Sequence, residues 1–177
     1  MKYLIASDLH GSKHFTEKLL KLYESIGADM LVLTGDLYYH GPRNPLTEIY
    51  DPRSVADMLN GMKDKLLVVK GNCDSEVDEM ISEFAFHNYA EITVGTKRVG
   101  LTHGHVYNID RVPPGCDVLI YGHVHTGFIT KAYGMTIANC GSVSLPKNGT
   151  PNSALILDGE ELSLVTLDGE VIQKTQI

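Results

Sequence analysis

The chain has 177 residues, 43% of them hydrophobic and 21% charged, which suits a single domain spanning residues 1–177 with a sizeable core. A formal net charge of −7 excludes a groove for bulk nucleic acid, because phosphate-backbone binding needs clustered lysine and arginine. No apolar run approaches the ~20 residues of a membrane span, so no membrane partner is expected. Cys73, Cys116 and Cys140 show no CxxC spacing, and the short N-terminal apolar run is no signal segment. Both features predict a cytoplasmic protein.

In chain order, residues 2–7 (KYLIAS) form a short apolar run that ends in a polar turn, as a buried strand does. Phe15, Leu19, Tyr23 and Ile26 repeat at helical spacing, and Gly27 can stop that helix. Residues 29–36 (DMLVLTGD) read as a second strand. Residues 38–50 hold two prolines and read as a loop. Asp51-Pro52 is an N-cap followed by proline at the first helical position, and Val55, Leu59 and Met62 supply the apolar face. Residues 65–72 (KLLVVKGN) are a third strand, so the first 72 residues predict a parallel βαβαβ unit. Residues 76–84 predict a solvated amphipathic helix face. The remainder alternates short strands with Gly, Asn and Asp turns, from EITVG to EVIQKT, and predicts a second, mixed or antiparallel sheet packed on the first.

Chelating residues fall just after these strands. The turns carry Asp8 and His10, then Asp36, then Asn72, Cys73 and Asp74, then His103 and His105, and finally His123 and His125. Ligands of α/β sheets bind beyond the carboxyl ends of the strands, so Asp8, His10, Asp36 and Asn72 are expected at one edge. His103, His123 and His125 reach the same edge if the second sheet stacks in register. Two carboxylates, one amide and four imidazoles are mixed N and O donors that suit Mn, Fe, Co, Ni or Zn rather than Ca or Mg. Seven metal-ligand candidates (Asp8, His10, Asp36, Asn72, His103, His123, His125) are too many for one catalytic ion with open positions. They fit two divalent metal ions roughly 3.5–4 Å apart that share a carboxylate. Asp36, on the central strand of the unit, is the candidate bridge.

In this order, Asp-x-His, Gly-Asp, Gly-Asn-x-Asp, His-Gly-His and Gly-His-x-His closely resemble the calcineurin-like metallophosphoesterase superfamily. With GNCDSEVD and HGPRN added, the pattern is similar to the small YfcE-type bacterial phosphodiesterases over nearly the whole chain. The resemblance implies a four-layer αββα sandwich with two central mixed sheets. It implies one ion on Asp8, His10, Asp36 and His125 and another on Asp36, Asn72, His103 and His123, with Mn the usual choice. It further implies a homo-oligomer, a dimer or tetramer. The expected reaction is hydrolysis of a small phosphodiester by a hydroxide that bridges the ions. The alternatives are a phosphomonoesterase or nucleotide phosphatase, and a non-enzymatic scaffold of the same fold.

Asn72, Cys73, Asp74 and His105 are the candidate catalytic residues. Many superfamily phosphatases have histidine where this chain has Cys73, and there Asp74 would orient the ring. Cysteine is a weaker donor, which predicts leaving groups that need little protonation; the alternative is that Cys73 only packs. His105 has a substrate-touching and a structural reading of equal standing. In the HGPRN loop, His40, Arg43 and Asn44 are candidate substrate contacts, Arg43 because its guanidinium matches a pair of phosphate oxygens. The same loop is alternatively an oligomer contact. His14 and His87 are expected at the surface, and Cys140 in a structural role.

Overall fold

The computed structural model describes residues 1–177. The chain opens with β1 (Lys2–Ala6), α1 (Lys13–Ser25), β2 (Met30–Leu33), α2 (Pro52–Asn60) and β3 (Leu66–Val69). Ser12 caps α1 by accepting a hydrogen bond from Phe15 N at 3.3 Å, and Thr16, Leu19, Leu22 and Tyr23 bury one helix face. Asp51 caps α2 through Ser54 N at 3.1 Å, with Pro52 in the first turn. β1, β2 and β3 pair in parallel, Ile5 beside Val32 and Val32 beside Leu67. The predicted βαβαβ unit is therefore present.

A short helix, α3 (Glu76–Ile81), follows with no fully buried residue, as its solvated sequence predicts. It leads to a two-residue strand, β4 (Phe86–His87), parallel to β3. β5 (Ala90–Val94), β6 (Lys97–Leu101), β7 (Val118–Tyr121), β8 (Gly127–Ala132) and β9 (Met135–Cys140) then build a second mixed sheet in the order β5-β6-β7-β9-β8.

The last three strands, β10 (Ser153–Asp158), β11 (Glu161–Thr166) and β12 (Val171–Gln176), depart from the sequence expectation. They rejoin the first sheet rather than the second, giving the order β12-β11-β10-β1-β2-β3-β4. β10 runs antiparallel to β1, Ile5 facing Leu155. The reason lies in β1 itself. Leu4, Ile5 and Ala6 are fully buried, so β1 is apolar on both faces and would be an unprotected edge without β10.

Strand alternation sorts the core into layers. Leu4, Leu31 and Leu33 face α1 and α2. Ile5, Val32 and Val69 face the second sheet and meet Val99, Leu101, Val118 and Ile120. On the far side of the second sheet, Leu119, Tyr121 and Ile137 are covered by Ile109, Val112 and Cys116. That outer layer comes from the irregular stretch between β6 and β7, while the regular helices lie with the first sheet.

Candidate metal centre

Each site residue sits on a turn that starts where a parallel strand stops. The turns after β1 and β2 are laced together: Asp8 N donates to Gly35 O at 3.0 Å, His10 N to Asp36 O at 3.0 Å and Gly11 N to Leu37 O at 2.9 Å. The turns of the second sheet join through Gly122 N to His103 O at 2.9 Å. The two sheets are joined in turn, as by His123 N donating to Asp8 Oδ2 at 2.9 Å. Ser142 Oγ and Ser144 Oγ both donate to Asp8 O, at 2.9 and 3.0 Å.

These turns are conformationally costly. Asp8 (φ 58°), His10 (46°), Asp36 (58°), His123 (67°) and His125 (59°) all lie in the left-handed region. Such residues are uncommon and cost on the order of 1 kcal/mol or more each, so they persist only where the surroundings over-determine them. Glycine makes the approach possible. A Cβ on Gly71 would lie 2.1 Å from Asp36 Oδ1, and one on Gly122 would lie 1.9 Å from Ser7 Oγ.

Asp8, His10, Asp36, His103, His123 and His125 converge here. His10 Nδ1 lies 2.8 Å from Tyr39 O, His103 Nδ1 2.7 Å from Thr34 O and His125 Nδ1 2.7 Å from Leu145 O. A carbonyl oxygen can only accept, so each Nδ1 carries the proton and each Nε2 is left with its lone pair. Those lone pairs all point at carboxylates: His125 Nε2 to Asp8 Oδ1 at 3.1 Å, His10 Nε2 to the same oxygen at 3.5 Å and His103 Nε2 to Asp36 Oδ2 at 3.4 Å. His10 Nε2 and His125 Nε2 are 3.2 Å apart, His103 Nε2 is 3.2 Å from His123 Nδ1, and Asn72 Oδ1 is 3.0 Å from His103 Nε2.

Acceptors facing acceptors need a cation between them. Asp8 is fully buried, and its Oδ1 has no hydrogen-bond partner. Asp8, His10 and His125 bring their ligand atoms within 4.8 Å of one another, as do Asp8, Asp36 and His103. Tying the distal imidazole nitrogen to a backbone carbonyl is also the usual outer support of a metal-bound histidine. The donor set thus fits divalent cations. Without them protons take the role. Burial pushes His103 down, but the Asp36 hydrogen bond and the charges of Asp8 and Asp36 outweigh it and carry the ring up to about 9. Burial raises Asp8, and its contacts with His10 and His125 more than reverse this, holding it well below the usual carboxylate range.

Asn72 Nδ2 donates to Cys73 Sγ at 3.3 Å, and Cys73 N donates to Asp36 Oδ1 at 2.8 Å. Cys73 Sγ falls within 4.8 Å of ligand atoms of His10 and Asp36. Burial and the Asp36 charge push its thiol up to about 12. Asp74, which the sequence left without a ring to orient, accepts the backbone N–H groups of Asp36 at 2.9 Å, Leu37 at 2.8 Å and Gly71 at 2.7 Å. It clamps the turn after β2 to the turn after β3. His105 is exposed, its ring centre 5.4 Å from His103 and 6.3 Å from His123, and burial together with the His103 charge lowers its pKa.

An open cleft of about 920 Å³ leads from Asp36, Asn72, Cys73, His123 and His125 to Arg43 and Asn44. His40 stands behind that wall, packed edge-on against Tyr50 at 5.2 Å, while Asn44 Nδ2 braces the loop on His40 O at 2.8 Å. Lys147 also lines the cleft and is not among the sequence-predicted contacts. Its only signal is its place just beyond the 139–143 turn that follows β9. His14 is half-buried on α1 and His87 exposed on β4, both away from the centre. Cys140 is fully buried beside Thr34 Oγ1 at 3.8 Å, as its structural role requires.

Comparison with known proteins identifies the family and the fold. The calcineurin-like phosphoesterase superfamily domain matches residues 1–162. The chain is 42% identical over 175 residues to phosphodiesterase YfcE of Escherichia coli K12, covering 97% of this chain and 95% of the relative. It is 28% identical to the probable metallophosphoesterase YsnB of Bacillus subtilis, covering 89% and 83%. The solved structure of the E. coli phosphoesterase YfcE superposes with a TM-score of 0.96 at 40% identity over the whole of both chains. Vacuolar protein sorting 29 from Cryptosporidium parvum superposes with a TM-score of 0.66 at 20% identity, over 99% and 98% of the two chains, a likeness of fold alone.

Proposed function

The chain belongs to the calcineurin-like phosphoesterase superfamily and is a metal-dependent phosphoesterase; from that premise we propose that it hydrolyses phosphodiesters at a centre of two divalent ions, Mn in the first instance. The observation that carries the reading is the three buried imidazoles whose Nδ1 atoms are tied to carbonyls, turning their Nε2 lone pairs on Asp8 and Asp36. Asp8, His10, Asp36 and His125 are assigned to one ion and Asp36, Asn72, His103 and His123 to the other, with Asp36 shared. When bound, such ions supply positive charge for the phosphate oxygens and an activated water as nucleophile.

The chain's own residues do the rest. Asn72 presents its amide oxygen to the centre because its Nδ2 is held on Cys73. Asp74 fixes the separation of Asp36 and Asn72 through three backbone bonds. Arg43 and Asn44, at the cleft wall, contact the substrate, with His40 supporting the loop behind them. His105 is exposed beside His103, their ring centres 5.4 Å apart.

Cys73 stands beside Asp36 and Asn72 with a thiol, a weaker hydrogen-bond donor than imidazole, to offer a departing alkoxide. The favoured substrates are therefore diesters with good leaving groups, which also agrees with the name of the E. coli relative, a phosphodiesterase. Exposed Leu46 and Ile49 on the 38–50 loop, and Val77 and Met80 on α3, favour a homo-oligomer, a dimer or tetramer.

The reading is tested by stripping the protein with chelator, reloading it with Mn and offering a bis-aryl phosphate and the matching aryl monophosphate. Turnover of the diester well above that of the monoester, lost on stripping, is expected. Faster monoester turnover would replace this reading with a phosphomonoesterase, and activity on neither would leave a scaffold.

A further inference from the structure

The cleft, at about 920 Å³, is far larger than one phosphate group. Its wall carries Asp36, Asn72, His123 and His125 of the metal centre together with Arg43 and Lys147. The only carboxylates in the wall are Asp36 and Asp74. Asp36 faces His103, and Asp74 is taken by three backbone amides. Neither is left to neutralise Arg43 or Lys147.

Those cations are themselves unpaired. Six of the 15 lysines and arginines hold a carboxylate, and Arg43 and Lys147 are among the nine that hold none. Lys147 is also fixed in place. Its N donates to His125 O at 2.9 Å, and its O accepts from Thr150 N at 3.0 Å and Thr150 Oγ1 at 2.8 Å. The same segment receives the His125 ring on Leu145 O. The position of the Lys147 backbone is thus set by a metal-centre histidine, while its exposed side chain is free to meet a ligand. Tyr39, Pro42, Pro45 and Val124 give the cleft apolar wall, and Tyr39 and Val124 are about two-fifths exposed, at 43% and 41%.

A diester phosphate carries one negative charge, which the metal centre already answers. An arginine and a lysine added for the same monoanion would be surplus. A second anion accounts for them, and the apolar wall accounts for the carbon that joins the two groups. We propose that Lys147 and Arg43 form a second phosphate subsite, so that the preferred substrates are phosphodiesters of which one organic arm carries a further phosphate group. The inference rests on the phosphodiesterase reading above and specifies its substrate class.

The test uses two aryl phosphodiesters that share a p-nitrophenyl leaving group: the p-nitrophenyl ester of a nucleoside 5′-phosphate, and the same compound with a 3′-phosphate added. The Mn-loaded full chain is assayed with both. Each solvated cation–phosphate contact contributes about fivefold, so the added phosphate lowers KM by about tenfold or more and makes it rise with ionic strength. Lys147→Gln and Arg43→Gln each reduce the ratio of the two KM values by about fivefold, and Lys147→Arg retains it. Both side chains are exposed, so folding is spared, and the ratio cancels any loss common to both substrates. Hydrolysis of both compounds with equal KM, or a ratio unmoved by either glutamine variant, overturns the subsite alone. Hydrolysis of neither overturns the phosphodiesterase reading, and the subsite falls with it.

Discussion

His103 is fully buried, with Nδ1 fixed on Thr34 O and Nε2 on Asp36, and it holds a proton up to about pH 9. The sign of the consequence follows from linkage. The folded-state value lies above the ordinary 6.5, so in metal-free protein the protonated ring stabilises the fold fully below 6.5. That contribution is lost as pH rises through about 9. On the proposed assignment a cation would use the same lone pair and displace that proton, as at His10, which is also raised. Apparent Mn affinity should therefore climb from pH 6.5 towards about 9, by roughly tenfold per unit for each proton displaced. Calorimetric titrations in buffers of different ionisation enthalpy read the proton release directly. An affinity flat across that range would mean that His103 is not a ligand.

At the scale of elements, the strands and their turns were the legible part of the sequence. Apolar runs such as LVL and LLVV, each ending in Gly-Asp or Gly-Asn, place their chelators at strand ends without reference to any fold. What stayed hidden depends on partners distant in the chain. β10 reads as one more alternating strand, and only the two buried faces of β1 decide which sheet takes it. β4 has two residues, too few to show a period. The left-handed backbone of Asp8, His10 and Asp36 has no sequence signature, and the amides that Asp74 collects belong to residues up to 38 positions away. Lys147 is an ordinary lysine until its backbone is found on His125.

The neighbouring glycines are open to test. Gly122→Ala places a methyl 2.6 Å from Asp8 Oδ2 as well as against Ser7. It should weaken metal binding by tenfold or more, an order-of-magnitude expectation for disturbed ligand support. Gly134→Ala in the β8–β9 turn meets nothing within 4 Å but has φ +75°. It should cost about 1–2 kcal/mol of stability and leave metal affinity unchanged. Equal metal affinity in both variants, measured by titration of folded protein, would contradict the close-approach role of Gly122.

At the scale of the whole molecule, the site is where the two sheets meet. Asp8, Asp36 and Asn72 follow strands of the first sheet; His103, His123 and His125 follow strands of the second. On the proposed assignment, ions held between them would cross-link the halves of the sandwich in addition to the apolar layer between the sheets. A ligand present at one hundred times its Kd stabilises the folded state by about 2.7 kcal/mol. For a chain of this length that corresponds to a rise in Tm of roughly 5–10 °C. Thermal unfolding with and without chelator should show the shift, and His123→Ala should shrink it. Identical Tm values would mean that no ion joins the sheets.

Seven side chains from two sheets are proposed to hold a pair of cations. Elemental analysis of Mn-loaded protein after exhaustive dialysis addresses this directly. Two Mn per chain are expected in the native protein and one in Asn72→Ala, whose substitution touches one ion only. A native stoichiometry of one or none would contradict the assignment.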